Sequence, residues 1–139
     1  MGLRHRMQKI LRGVDLEPSP PQSKRRVVAK TADYTCVDSD SGTVFTTLGS
    51  SGDVDFTLPA IGASDGWHAW FMSATDNEMG VISAGSLDNL VGFNDDTADA
   101  VRFTTASEQI GCGFYVVGDG TKWYVFVHLG QDSASVSIT

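Results

Sequence analysis

From Val27 onward, the chain alternates short runs rich in Val, Thr, Phe, Tyr and Trp with clusters of Gly, Ser, Asp and Asn. The turn clusters recur about every eight to twelve residues, which is typical of an all-β sandwich or barrel. After residue 30, no segment combines helical spacing with helix caps. The sequence therefore predicts a small antiparallel β-sandwich, either jelly-roll-like or Greek-key. The predicted strands are Val27–Lys30, Ala32–Val37, Thr43–Thr47, Val54–Leu58, Trp67–Ser73, Gly80–Ser83, Leu87–Val91, Ala100–Thr105, Ile110–Val117, Lys122–His128 and Ala134–Ile138.

Charge divides the chain into two parts. Residues 1–30 contain eight Lys and Arg residues and two carboxylates, for a net charge of +6. Residues 31–139 contain two basic residues and fifteen carboxylates, for a net charge of −13, so the total of −7 averages two opposite regions. We expect an extended, basic N-terminal arm at 1–30 and a sandwich body at 31–139. Because an acidic body repels nucleic acid, nucleic acid is not an expected partner.

The arm itself has two segments. The first places Leu3, Met7, Ile10, Leu11 and Val14 at helical spacing between basic residues, so it is either a short amphipathic helix that orders against a partner or a disordered tail. Such a helix could dock in a partner groove, lie on a membrane surface or serve as an organelle-targeting peptide, and a membrane is not an expected partner. The second segment, with Pro18, Pro20 and Pro21, favours an extended polyproline conformation. The predicted partner-binding residues of the arm are Leu3, Arg4, Arg6, Met7, Lys9, Ile10, Arg12, Lys24, Arg25 and Arg26.

The residue types that carry enzyme chemistry form no recognisable pattern. The acidic clusters "DSD", "DVD", "TDNE" and "NDD" lack the spacing and distal Glu of an EF-hand, so we interpret them as solvated loops. No G-x-S-x-G motif accompanies the three histidines. Cys36 and Cys112 are too few for a zinc site and are expected to be free, buried thiols. The sequence predicts neither an enzyme nor a bound metal or cofactor, and no apolar run is long enough for a membrane helix.

Aromatic residues dominate two of the predicted strands. In "KWYVFVH", alternation places Trp123, Val125 and Val127 on one face and Tyr124, Phe126 and His128 on the other. In "WHAWF", it separates Trp67, Ala69 and Phe71 from His68 and Trp70. Trp123 is predicted to fill the core. A monomer does not normally expose an apolar second face, so a subunit interface is predicted there, with the residues Trp70, Tyr124 and Phe126.

Two segments, "TADYTCVDSDSGTVFTTLGSSGDVDFTLP" and "VVGDGTKWYVF", resemble virion proteins of tailed bacteriophages. In that pattern a Tyr-Thr strand, a "DSG" turn and a "V-F-TLP" strand precede a closing "SDGTNWYV" hairpin. Lys122 replaces the usual Asn here, and Gly118 the usual Ser. The resemblance implies a small β-sandwich module, commonly trimeric and without catalytic residues, that decorates capsids or belongs to tail appendages.

With the basic arm, this resemblance favours a capsid decoration, or cement, protein. It would assemble in the host cytoplasm into the virion as a homotrimer and bind the major capsid protein between capsid subunits through its arm. The alternative is a tail or fibre module that binds a receptor or carbohydrate, with Trp67, Trp70 and Tyr124 as its aromatic residues.

Overall fold

The computed structural model describes residues 24–63, 65–85, 87–104, 109–130 and 135–139. Within these residues the chain forms short strands joined by turns, with two 3-10 turns at Asp38–Asp40 and Ile61–Ala63. The strands are β1 (Val27–Ala29), β2 (Tyr34–Thr35), β3 (Val44–Thr46), β4 (Val54–Thr57), β5 (His68–Met72), β6 (Met79–Ile82), β7 (Leu90–Gly92), β8 (Asp95–Ala98), β9 (Ala100–Phe103), β10 (Gly113–Gly118), β11 (Trp123–His128) and β12 (Val136–Ile138).

The strands form two sheets that pack face to face. The larger sheet has seven strands in the order β1-β3-β5-β10-β11-β7-β8, and the smaller has five in the order β12-β9-β6-β4-β2. Side chains from the inner faces of both sheets form one continuous apolar core. The predicted all-β fold and its two-sheet sandwich are therefore confirmed.

The prediction that the sheets are antiparallel needs correction, because both sheets are mixed. From β1 to β6 each successive strand lies in the other sheet, so strands two apart in the sequence become neighbours with the same direction. The pairs β1–β3, β3–β5, β2–β4 and β4–β6 are parallel for this reason. The pair β7–β11 is also parallel, whereas β5–β10, β10–β11, β6–β9, β9–β12 and β7–β8 are antiparallel. Hydrophobic and polar residues alternate in the same way in parallel and antiparallel strands, so the sequence pattern could not distinguish the two kinds of pairing.

One strand was not predicted. Residues of β8 belong to the acidic "NDD" cluster, which was interpreted as a solvated loop, yet β8 pairs antiparallel with β7. Phe93 and Asn94 between them have φ values of 48° and 64°, as in a two-residue hairpin turn with a left-handed backbone. Phe is a rare residue in that conformation, and Asp is depleted in strands. Neither residue therefore signals a hairpin.

The core is centred on stacked aromatic rings that join the sheets. Phe71 on β5 lies with its ring centroid 5.5 Å from that of Phe45 on β3 and 4.9 Å from that of Phe56 on β4, in the opposite sheet. Trp123 is fully buried and packs edge-on against Trp67 at 5.4 Å. The prediction that Trp123 fills the core is confirmed, and the hairpin "GDGTKWYVF" has a structural role.

The larger sheet begins before the expected boundary between arm and body at residue 30. Val27–Ala29 form β1, which pairs in register with Val44–Thr46 of β3. Main-chain bonds extend this pairing at both ends, from Val44 N to Arg26 O and from Lys30 N to Thr46 O, each 2.8 Å. Residues 26–30 are thus part of the sandwich.

Candidate functional site

A row of apolar residues crosses the outer surface of the larger sheet. Pairing in register places Val27 of β1 beside Val44 of β3, and Val44 beside Trp70 of β5. Trp70 in turn pairs with Tyr115 of β10, and Tyr115 with Phe126 of β11. Five neighbouring strands therefore present a large apolar or aromatic side chain at the same level. All five alternate with core residues, so they point away from the core.

The aromatic members of this row pack against one another. The ring centroids of Trp70 and Tyr115 are 5.0 Å apart, and those of Tyr115 and Phe126 are 6.0 Å apart. Despite these contacts, Phe126 remains 58% exposed and Val27 remains 65% exposed. The row is a continuous hydrophobic surface that is exposed at its two ends and half-buried at Val44, Trp70 and Tyr115.

The rows on either side contain no Asp, Glu, Lys or Arg. On one side pairing joins Ala29, Thr46, Met72, Gly113 and His128. On the other side it joins His68, Val117, Tyr124 and Val91. We refer to these three rows together as the uncharged face. On a chain whose body carries fifteen carboxylates, so large a surface without charge suits contact with another molecule.

Tyr124 lies at the margin of this face and is tied to the hairpin turn. Its hydroxyl donates to Asp119 Oδ2 at 2.6 Å, while Asp119 Oδ1 accepts the main-chain N–H groups of Thr121 and Lys122. The hydrogen bond from Tyr124, with those from Lys122 and Thr121, lowers the pKa of Asp119 below its ordinary value. The same bond and the charge of Asp119 raise the pKa of Tyr124. The turn therefore orients Tyr124 at the edge of the face.

The structure brings together the three residues predicted for a subunit interface. Trp70, Tyr124 and Phe126 all lie on the uncharged face, although their contact with another subunit stays a prediction. Tyr115 was not predicted for this interface, although it lies between Trp70 and Phe126 in the row. Alternation in "GFYVVG" gives the direction of Tyr115, but its neighbours depend on strand pairing. Trp67 is only 3% exposed, so it is removed from the aromatic set predicted for carbohydrate binding.

The predicted arm residues are described only from Lys24 onward. Leu3, Arg4, Arg6, Met7, Lys9, Ile10 and Arg12 lie outside the described residues. Lys24 and Arg25 are exposed immediately before β1. Arg26, whose contact with a partner stays a prediction, also contacts its own body: its Nη2 donates to Asp40 Oδ1 at 2.8 Å and to Thr43 Oγ1 at 2.9 Å.

Asp40 is the centre of a polar network beside the start of β1. It is 5% exposed, which corrects its interpretation as a solvated loop acid. Besides Arg26, it accepts hydrogen bonds from the Tyr34 hydroxyl at 2.8 Å and the Val37 main-chain N–H at 2.9 Å. A buried carboxylate is stabilised only when such partners surround it. The network fixes the junction between the arm and the sandwich.

Charge is distributed unevenly around the uncharged face. At the β1 edge the exposed groups are the basic Lys24 and Arg25. At the opposite edge, the β7–β8 region carries Asp88, Asp95 and Asp96. Lys122 Nζ donates to the main-chain carbonyls of Asp88 and Asp96 at 3.0 and 2.6 Å, which links the β10–β11 hairpin to this edge. An open depression of about 450 Å³ lies along residues 91–96 of this edge.

The described residues include candidate metal ligands and two thiols. Among them, no group of three or more His, Cys, Asp or Glu side chains is arranged to hold a metal ion. Burial raises the pKa of the Cys36 thiol to about 12, which keeps it protonated and unreactive at neutral pH. In the same part of the chain, none of the helical turns has the length or hydrophobicity needed to span a membrane.

The sequence matches no protein-family model and no curated protein.

Proposed function

We propose that this chain is a structural protein of a phage virion, namely a capsid decoration (cement) protein that binds between capsid subunits and stabilises the head. The observation that supports the proposal is the uncharged face. Its row from Val27 to Phe126 offers hydrophobic area for assembly without the convergent polar groups that chemistry on a substrate needs. The resemblance of residues 31–59 and 116–126 to phage virion modules supports the same function.

In this proposal the arm and the face have different partners. The basic arm contacts the major capsid protein, while the uncharged face meets neighbouring copies, with three copies forming a homotrimer on the shell. Each contact is weak alone. Once one arm of a trimer binds, the other two arms are held close to the shell at a high effective concentration. The avidity of the trimer can therefore exceed the affinity of a single arm by about 10²–10⁴-fold. No catalytic step is assigned to the protein.

Counting bound copies on undecorated capsids by cryo-electron microscopy tests the proposal. We expect the full chain to occupy defined positions at junctions between capsid subunits. A variant with Arg4, Arg6, Lys9 and Arg12 changed to Ala should lose occupancy by about tenfold or more, because its arm keeps only four of the eight basic residues that attract an acidic surface. A variant with Gln8 and Gln22 changed to Ala is the matched control and should bind as the wild type does. Absence of ordered copies of the wild type on any capsid would refute a decoration role.

The alternative, a tail or fibre module that binds a receptor or carbohydrate, has one observation in its favour. Trp70, Tyr115 and Phe126 form adjacent rings on the outer face, with Trp70 and Tyr115 half-buried and Phe126 exposed, and aromatic faces also stack on sugars. A glycan array probed with the wild type and with Phe126→Ala distinguishes the two functions. Saturable binding of one glycan class that Phe126→Ala abolishes would favour the alternative, whereas no glycan binding together with capsid occupancy would favour decoration.

A further inference from the structure

Three exposed aliphatic side chains lie together at one end of the larger sheet, and a glycine follows each of them. They are Leu48, Ile110 and Leu129, which are 64%, 64% and 45% exposed. Leu48 follows β3, Ile110 precedes β10 and Leu129 follows β11. These positions share one end of the sheet, because β10 is antiparallel to both β5 and β11, and β5 is parallel to β3. We refer to the three residues as the end cluster.

Main-chain contacts hold the end cluster around the last residues of β5. The turn after β3 is bonded to it from Thr47 N to Met72 O at 3.3 Å, and the turn before β10 from Gly111 N to Ser73 O at 2.8 Å. The chain after β11 lies so close to the second turn that a Cβ on Gly130 would be 3.1 Å from the main chain of Gly111. The end cluster therefore extends from β3 to β11, which is three strand spacings, or about 14 Å at about 4.8 Å each.

The turns do not themselves require aliphatic side chains. In Thr47–Ser50 and in Gln109–Cys112, the main-chain N–H of the fourth residue donates to the carbonyl of the first, at 2.9 and 3.0 Å. The third residue of each is a glycine, with φ of 85° and 89°, as in a type II turn. Leu48 and Ile110 occupy the second position, which a type II turn leaves open to polar residues and proline. Two exposed aliphatic side chains at equivalent positions are therefore suited to contact with another molecule.

We propose that the end cluster of one copy packs on the uncharged face of the next copy. This inference rests on the proposed function, because it specifies which surfaces of neighbouring copies meet in the homotrimer. The central row of the face is exposed at Val27 and Phe126 and half-buried between them, at Val44, Trp70 and Tyr115. The two exposed ends are four strand spacings apart, or about 19 Å, so an end cluster of about 14 Å fits between them.

Charge favours a second copy as the occupant of the face. Each body carries a net charge of −13, so two copies repel each other wherever their carboxylates meet. The three rows of the uncharged face contain no charged residue, and neither do the turns Thr47–Ser50 and Gln109–Cys112. Contact between these surfaces therefore brings no carboxylates together. A bilayer is a poorer partner for the end cluster, because anionic headgroups repel an acidic body and neither turn offers a Lys or Arg.

The size of the uncharged face favours a ring of copies over a pair. Five strands and three rows cover about 500 Å², at about 4.8 Å per strand and about 6.7 Å per row. A standard interface buries about 800 Å² on each partner, so one pairing of two faces would be weak. In a ring each copy offers its face to one neighbour and its end cluster to the other, and closure of the ring strengthens both contacts. A ring of three is the homotrimer of the proposed function.

Sedimentation equilibrium of the full chain tests this contact. We expect the wild type to associate, and Leu48→Gln with Ile110→Gln to raise the dissociation constant about tenfold or more, because two apolar side chains lose a buried contact. The matched control, Val37→Gln with Leu87→Gln, changes exposed aliphatic residues at the opposite end of the sandwich, beside the starts of β5 and β11. This control should associate as the wild type does. Phe126→Gln alters the face and should weaken association as the end-cluster variant does.

Mixing the two weakened variants tests which surfaces meet. The Leu48→Gln, Ile110→Gln variant keeps an intact face, and Phe126→Gln keeps an intact end cluster, so together they should form a one-to-one complex that neither forms alone. Failure of the mixture to form this complex would overturn the inference. Undiminished association of the end-cluster variant would also overturn it, since faces would then pair with faces.

Two further results would contradict the inference. One is a wild-type chain that stays monomeric at every concentration measured. The other is wild-type binding to phosphatidylcholine vesicles that Leu48→Gln with Ile110→Gln abolishes, since a bilayer would then be the partner of the end cluster. Capsid occupancy is a separate measurement that none of these results determines, so failure here is distinct from failure of the proposed function.

Discussion

At the scale of single residues, the most consequential side chain is Asp40. It lies in the 3-10 turn Asp38–Asp40, which connects β2 in one sheet to β3 in the other. It is nearly inaccessible to solvent and accepts hydrogen bonds from Arg26, Tyr34 and Val37. Lys30 adds a cation–π contact on the Tyr34 ring, with Nζ 3.7 Å from the centroid. Groups from three segments thus depend on one carboxylate. Composition alone could not single out Asp40 among seventeen acidic residues, because its burial follows from partners distant in the sequence.

Replacing Asp40 should cost far more stability than replacing its ionic partner. We expect Asp40→Ala to lower the free energy of unfolding by about 2–4 kcal/mol, since two neighbouring donors, Tyr34 and Val37, lose their acceptor. Arg26→Ala should cost about 1 kcal/mol or less, because the Arg26 side chain is 56% exposed and water screens the pair. Urea unfolding of both variants measures the difference. Equal losses would show that the ion pair, rather than the network, is what stabilises the junction.

At the scale of elements, β10 depends on a glycine for its contact with β5. A Cβ built on Gly113 would lie 2.7 Å from the main-chain oxygen of Phe71, inside the centre of the larger sheet. Gly80 on β6 is also crowded, but by the side chains of Asp55 and Arg102 at 2.5 and 2.7 Å. A backbone atom in a central strand cannot rotate away, whereas these half-exposed side chains can. The two glycines therefore tolerate substitution differently.

Gly113→Ala should destabilise the sandwich much more than Gly80→Ala. The first substitution must separate β10 from β5 and is expected to cost about 2 kcal/mol or more. The second displaces Arg102 from ion pairs with Asp55 and Glu78, worth about 1 kcal/mol or less, and regains some of this by reducing unfolded-chain entropy. Thermal unfolding followed by circular dichroism compares them. A larger loss for Gly80→Ala would contradict this reading of the two contacts.

The strands themselves illustrate what the sequence could and could not predict. Alternation correctly assigned Trp123 to the core and Phe126 to the outer face, because a period of two is a local property. Pairing is not local: Tyr115 meets Trp70, which is 45 residues earlier, only through the order of strands. That order, and hence the continuous row on the uncharged face, depends on how the chain winds between sheets. β8 was missed for a local reason, the left-handed turn at Phe93.

At the scale of the whole molecule, stability depends on the aromatic contact between the two sheets. Phe71 stacks on Phe45 in its own sheet and contacts Phe56 in the other, so its ring joins the layers. Phe126 is a ring of equal size in the same sheet that faces outward. Comparing Phe71 with Phe126 therefore distinguishes the contribution of a buried ring to stability from that of an exposed ring in the same sheet.

Phe71→Ala should lower the free energy of unfolding by about 3–5 kcal/mol, because it leaves a cavity between the sheets that the surrounding rings cannot fill. Phe126→Ala should change it by about 0.5 kcal/mol or less. Denaturant unfolding monitored by tryptophan fluorescence gives both values. Similar losses for the two variants would mean that the outer face contributes to folding as the core does.

The winding of the chain also determines how the molecule bears a mechanical load. In the proposed function, the N-terminal segment ties the protein to a shell, and tension would then enter the sandwich at β1. Because β1 runs parallel to β3, and the bonds of Arg26 and Lys30 flank it, a pull along the strand axis strains all of these hydrogen bonds together. An antiparallel edge hairpin pulled from one end would instead open one bond at a time. The parallel edge is thus an attachment that resists shear.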